Sequence, residues 1–140
     1  MKLKFLATTN YFNNTISGDV INGIDLSEIP NGTAISPLPE PLREAGIIAV
    51  ERDQTGELFV TLQQSCLSYE YPVTSHDWKE SPWIPASQFD PDTCYIIPSS
   101  VEGKTDYEMV FRDTTETLPN GVEVPRKGWT VVKLDSEAKK

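Results

Sequence analysis

Residues 45–65 read AGIIAVERDQTGELFVTLQQS, and this stretch decides the fold class. Its two halves, 47–52 and 58–62, are rich in β-branched, aliphatic and aromatic residues. Between them stand Asp53, Gln54, Thr55 and Gly56, a set of turn formers, so the segment predicts a β-hairpin. In the second half Leu58, Val60 and Leu62 alternate with Glu57, Phe59, Thr61 and Gln63. A period of two sends the aliphatic set to one face and leaves the other face chiefly polar. Phe59 interrupts that polar face; an aromatic there either covers a neighbouring loop or meets a partner. No long segment places apolar residues at i, i+3, i+4 and i+7, which excludes a helical bundle.

Upstream, KLKFLATT alternates apolar residues with lysines and predicts a half-buried strand with Leu3 and Phe5 on one face. The stretch TISGDVINGIDLSEIPNGTA (15–34) holds three glycines and two Asn-Gly pairs. It predicts a run of reversals: a hairpin across Ser17-Gly18, a second turn at Asn22-Gly23, and a third at Ile29-Pro30-Asn31-Gly32. Ile16, Val20, Ile24 and Leu26 are the expected buried side of that hairpin unit. Prolines at 37, 39 and 41 in ISPLPEPL oppose both helix and sheet ladder and predict an extended connector.

Downstream, residues 66–98 scatter aromatics among turn formers and acids with no sustained period. This predicts a long excursion stapled by aromatic side chains, with a helical turn near Ser87 and a strand at Tyr95-Ile96-Ile97 ended by Pro98. Such aromatics either cap a small core or serve as binding hot spots; Phe59, Tyr69, Tyr71, Trp78, Trp83 and Phe89 are the candidate interface residues. The remainder predicts strands at 107–112 and 129–134, with a turn at Pro119-Asn120-Gly121 between them. The fold class is thus mainly β: antiparallel hairpins forming a small sheet, sandwich or barrel, with long proline-rich loops and little helix. One domain is expected over 1–134, made of an N-terminal strand and hairpin unit (1–34), a connector (35–43) and a main β part (44–134). Residues 135–140 form a charged tail.

The totals narrow the function classes. A chain of 140 residues can bury a core without metal or disulfide staples. Cys66 and Cys94 follow no apolar leader segment, so reduced thiols in a cytosol are expected. The net charge is −9, and residues 70–116 hold ten carboxylates against Lys79, Lys104 and Arg112. Such a balance opposes binding to a phosphate backbone and suits solubility or docking on a basic protein surface. No apolar run approaches a membrane span.

Chemistry finds little support. His76 and Asp77 are adjacent in TSHDWKE, and neighbouring residues rarely aim at one another as a catalytic pair must; neither cysteine sits in a nucleophile motif. One histidine and two distant cysteines do not make a zinc site. Asp90-Pro91-Asp92 lacks the carboxylate density and interior glycine of a calcium loop. Gly18, Gly23 and Gly32 precede no helix and no lysine, so they are turn residues and not a phosphate cradle. No catalytic residue, cofactor, metal or small-molecule ligand is expected.

The hairpins TISGDVINGIDLS (15–27) and VERDQTGELFVTL (50–62), with the segment WKESPWIPASQFDPDT (78–93), resemble small proteins encoded in the tail and baseplate gene modules of long-tailed, siphovirus-like bacteriophages. The resemblance spans residues 12–92 and leaves the chain after Pro98 without a counterpart. It implies a non-catalytic virion structural or assembly protein, a tail-tip or baseplate accessory subunit. Its implied partners are other tail or baseplate proteins in a multi-copy ring, with no nucleic acid and no membrane, and its implied location is the virion tail after synthesis in the host cytoplasm. The acidic 70–116 segment motivates a different reading, a phage-encoded inhibitor whose carboxylates occupy the phosphate site of a host nucleic-acid-binding or defence protein.

Overall fold

The structure, a computed structural model, describes residues 1–8, 12–67, 78–99 and 105–133. In chain order the strands are β1 (Lys2–Thr8), β2 (Ile16–Ser17), β3 (Val20–Ile21), β4 (Ile24–Asp25), β5 (Thr33–Ala34), β6 (Ala49–Arg52), β7 (Leu58–Ser65), β8 (Trp78–Lys79), β9 (Ile84–Pro85), β10 (Ile97–Pro98), β11 (Tyr107–Thr117) and β12 (Glu123–Lys133). One short helix, α1 (Glu40–Glu44), lies between β5 and β6. The chain is mainly β, as the hairpin patterns predict.

The predicted hairpin at 45–65 is the centre of the molecule. β6 and β7 pair antiparallel, Val50 opposite Val60 and Arg52 opposite Leu58. The alternation in β7 sends Leu58, Val60 and Leu62 fully inward. β1 lies along the other side of β7, with Leu3 opposite Val60 and Phe5 opposite Leu62, so five inward side chains interlock on one face. The sheet order is β5-β6-β7-β1-β9.

Every predicted hairpin is antiparallel, but β1 and β7 run parallel. A parallel neighbour requires a long crossover, and the chain between Thr8 and Leu58 supplies one. That crossover contains the small β2-β3-β4 sheet and α1.

In the small sheet Ile16 stands opposite Ile21, and Ile21 opposite Ile24. Cross-strand partners share a face, so Ile21 is buried with Leu26 while Ile16 and Ile24 pack at its margin. Val20, expected inside, points outward because it neighbours Ile21 along the strand. The first reversal also lies one residue later than predicted: Ser17 pairs with Val20, making Gly18 and Asp19 the loop.

Arg52 ties this unit to the hairpin. Its Nε donates to Ile29 O at 2.6 Å, Nη1 to Gly56 O at 2.7 Å and Nη2 to Leu26 O at 3.2 Å, with Asp19 Oδ2 3.7 Å from Nη2. One guanidinium fork thus ties the 26–29 turn to the 53–56 loop through three carbonyls, a geometry that a point-charge ammonium does not match.

Pro37, Pro39 and Pro41 do not keep the connector extended throughout. Pro39 caps α1 and Pro41 falls in its first turn, where a missing N–H is harmless because that donor has no helical partner. The helix ends at Glu44 and the chain turns away at Gly46, whose φ of +86° suits glycine; a Cβ there would lie 2.6 Å from the Phe12 ring.

The two C-terminal strands are longer than predicted, eleven residues each, paired from Tyr107–Lys133 to Thr117–Glu123. Pro125 is tolerated within β12 because a two-stranded ribbon leaves one edge of each strand unpaired. The root of this ribbon is held by Leu67 N donating to Trp129 O at 2.8 Å and by the bridge between Cys66 and Trp129. Gly128 lets the strands approach: a Cβ would meet Ser65 backbone carbon at 3.1 Å. Val131 and Thr130 are buried at the root, whereas residues 115–117 and 121–123 are exposed.

The helical turn predicted near Ser87 is present as a 3₁₀ turn at Ala86–Gln88. The predicted strand at 95–97 is reduced to β10, which includes Pro98 and pairs with β8.

Candidate protein-interaction face

The sheet has two unlike faces. The inner one carries Leu3, Phe5, Leu58, Val60 and Leu62 and is covered by Ile21, Leu26, Ile47, Ile96 and Val131. The outer one carries the side chains that alternate with these, and there Phe59 and Trp83 meet.

Trp83 reaches Phe59 because residues 80–85 run beside the free edge of β1. Phe5 N donates to Ser81 Oγ at 2.8 Å, Ser81 N donates to Phe5 O at 2.9 Å, and Leu3 stands opposite Ile84. Alternation then places Trp83 outward with Lys4. The Phe59 and Trp83 rings meet edge to face, centroids 5.2 Å apart at 84°. Lys4 Nζ lies 4.8 Å from the Trp83 ring centroid and 3.3 Å from Glu80 Oε1. The indole is therefore held between a cation and an aromatic edge.

Beside this pair is an open trough of about 430 Å³, lined by Leu38, Ile48, Ala49, Phe59, Thr61 and Trp83 among others. Trp83 is 42% exposed although Phe59 and Lys4 hold its ring, and Ile48 is 38% exposed with its backbone N–H donating to Thr61 O at 2.8 Å. Aromatic and aliphatic side chains fixed in this way form the centre of protein–protein contacts, since little rotamer freedom remains to be lost on binding.

The other predicted interface residues lie elsewhere. Phe89 packs against both Phe5 and Tyr95, at 5.6 and 6.1 Å, and these two stack on each other at 5.0 Å, away from the trough. Trp78 is in the core, 6% exposed, with no hydrogen-bond partner for its indole N–H among the described residues. Tyr69 and Tyr71 lie outside the described residues, as do His76 and Asp77. The outer-face partners Lys4, Leu38 and Ile48 were not singled out from sequence. Alternation in KLKFL places Lys4 on the outer face, but no pattern places Leu38, which lies in the proline-bearing link, or Ile48, which is exposed with Ala49 between the buried Ile47 and Val50 and so breaks the strand alternation.

A second concavity, of about 300 Å³, opens at the root of the β11–β12 ribbon. Its floor is made by Gln64, Ser65 and Asn14, and its walls by aromatic rings from four segments. Gln64 is fully engaged, donating to Thr93 O at 2.8 Å and accepting from Tyr95 N at 2.8 Å and Ile96 N at 3.3 Å.

Neither cysteine is bonded to another. Burial pushes the Cys66 thiol up to about 11. Burial, with a smaller contribution from the nearby Cys66, pushes Cys94 up to about 12 against the opposing effect of a backbone hydrogen bond at Ile96. Both are therefore protonated and weakly nucleophilic at neutral pH. Among the described residues no group of three or more His, Cys, Asp and Glu could hold a metal, and no helix is long and apolar enough to cross a membrane. No protein-family model, curated protein or solved structure matches the chain.

Proposed function

We propose that this chain is a bacteriophage virion structural or assembly protein, a tail-tip or baseplate accessory subunit that works by protein–protein contacts. The observation that carries the reading is the outer sheet face, where Phe59, Trp83 and Ile48 present a fixed apolar patch to solvent beside Lys4 and Glu80. The two-stranded β11–β12 ribbon is a second feature of the same kind, since a short ribbon can extend a neighbour's sheet. In a ring of identical subunits such contacts are multiplied, and individually weak ones add to a stable assembly. The resemblance of residues 12–92 to tail and baseplate module proteins supplies the kind of assembly.

The test is quantitative mass spectrometry of purified particles made with the wild-type gene and with Trp83→Ala combined with Ile48→Ser. A structural subunit is present at fixed stoichiometry, and the double variant, folded by circular dichroism, is lost from the particle or reduced severalfold. A protein abundant in infected lysate but missing from particles sinks the structural-subunit reading and turns attention to the acidic inhibitor. Full incorporation of the folded double variant removes the outer face from the contact.

A further inference from the structure

The concavity at the ribbon root has the composition of a cation site. Phe111 and Trp129 stand directly opposite each other in β11 and β12, with ring centroids 5.6 Å apart and planes at 70°. They form two nearly perpendicular walls. Phe12 and Phe89 line it from other segments, the latter braced by its stack with Phe5. The floor amides are spent on internal bonds: besides Gln64, Asn14 Nδ2 donates to Gln63 O at 2.8 Å and its Oδ1 accepts from Asn22 at 2.9 Å. Among the described residues, the Asn13 amide and the Asp92 carboxylate remain without side-chain hydrogen bonds. Asp92 is on an ordered turn, its own N–H donating to Asp90 Oδ1 at 2.9 Å.

Among the described residues the lining contains no Lys, Arg or His. Of these groups, an anion would meet a carboxylate and the negative faces of aromatic rings, all of which disfavour it. A hard metal ion needs six or more oxygen ligands, which one carboxylate and a ring wall do not provide. A nitrogen cation that bears alkyl groups is favoured by every component: ring quadrupoles attract it, Asp92 neutralises it, the rings cover its methyl or methylene groups, and the net charge of −9 raises its local concentration.

We propose that this cleft binds an organic cation, an alkylammonium or guanidinium group, with Trp129 and Phe111 as the aromatic walls and Asp92 as the counter-charge. The cation is either a free small ammonium compound or a lysine or arginine side chain of a partner protein, and the two sources share the same recognition chemistry.

The experiment is a titration of the full chain at constant ionic strength, followed by backbone and indole NMR shifts. The probes are choline, its uncharged carbon isostere 3,3-dimethylbutanol, and the blocked amides of lysine and arginine. Saturable shifts of the Trp129 indole are expected with a Kd of about 1–10 mM for the best cation, and binding of the uncharged isostere about fivefold weaker or more. Asp92→Asn, an exposed turn substitution that leaves the core untouched, is expected to weaken cation binding about threefold or more and to leave isostere binding unchanged. Trp129→Leu should abolish binding, but since it also removes a strand contact the Asp92 variant decides. Tighter binding of the blocked amides than of choline assigns the site to a partner side chain; the reverse assigns it to a free ammonium compound. The proposal is overturned if the uncharged isostere binds as tightly as choline, if Asp92→Asn changes nothing, or if no probe gives saturable shifts at Trp129.

Discussion

Replacing Arg52 with lysine keeps the charge and most of the stem, and should nevertheless destabilise the fold by about 2–4 kcal/mol. The magnitude follows from the three carbonyls that the guanidinium serves, those of Ile29, Gly56 and Leu26. A hydrogen bond from a charged donor contributes about 1.5–3 kcal/mol. A lysine ammonium reaching from β6 can keep one of these bonds, so two are lost. The total falls below twice the upper value because the Leu26 bond is the longest at 3.2 Å and the three bonds are only partly buried. Asp19 contributes little: it is 3.7 Å away and itself exposed, so Asp19→Ala should change stability by less than about 0.5 kcal/mol. Urea unfolding followed by tryptophan fluorescence measures both. With a slope of about 1.5–2 kcal/mol/M, Arg52→Lys should lower the midpoint by roughly 1–2.7 M. A midpoint within about 0.3 M of wild type for Arg52→Lys, or an Asp19→Ala effect as large as that of the arginine change, would show that the backbone fork is not what joins the N-terminal unit to the hairpin.

Other substitutions and conditions probe separate parts. Gly128→Ala places a Cβ 3.1 Å from the Ser65 backbone and should destabilise by about 1–3 kcal/mol through overpacking at the ribbon root; an unchanged urea midpoint would mean that β12 and β7 separate freely. Cys66 and Cys94 should resist iodoacetamide at pH 8 in the folded chain and react fully in urea, with mass spectrometry counting the adducts. Since both thiols have folded values raised above 9.0, they favour the folded state below pH 9, and this contribution is lost as pH rises from about 9 toward 11–12; Cys94→Ala should flatten that alkaline decline. Asp53 has the opposite sign. Its carboxylate accepts from the Thr55 hydroxyl at 2.6 Å and from Glu57 N at 3.0 Å, which holds it below 3.8, so its contribution is present above pH 3.8 and disappears as the carboxylate is protonated in acid. Asp53→Ala should therefore lower stability at pH 7 and show a shallower loss below pH 4, and parallel pH curves for the two proteins would contradict this assignment.

What the sequence discloses about the fold is local. The inward set Leu58, Val60 and Leu62 and the pair Leu3 and Phe5 follow from alternation alone, because a strand's period of two is a property of each residue's own backbone. The parallel pairing of β1 with β7 does not follow, since both strands would show the same alternation beside any partner. Val20 was misplaced for a related reason: which member of Val20-Ile21 faces inward depends on the register across the Gly18-Asp19 loop, and moving that loop by one residue exchanges the two. The proline-rich connector contains α1 because an isolated proline's effect depends on where in a helix it falls, and the first turn tolerates it.

The two candidate surfaces differ in how far they could be read, and the difference is geometric. Phe111 and Trp129 meet because a ribbon turning about Asn120 pairs residues equally spaced on either side of it; once Pro119-Asn120-Gly121 is recognised as the tip, that aromatic pair is implied. Phe59 and Trp83 meet only because residues 80–85 return beside β1, which itself lies beside β7, so the contact depends on two strand neighbours that no turn dictates. Aromatic content in the 66–98 excursion was visible, yet its members divide among the outer face, the core and the ribbon cleft: Trp83, Trp78 and Phe89 respectively. A cluster in sequence was thus not a cluster in space. The separation makes the two surfaces independently testable, because Trp83→Ala leaves the ribbon cleft intact and Asp92→Asn leaves the outer face intact. If particle incorporation responds to the first substitution and cation binding to the second, with neither crossing over, the protein holds its place in an assembly through one face and a basic ligand in the other.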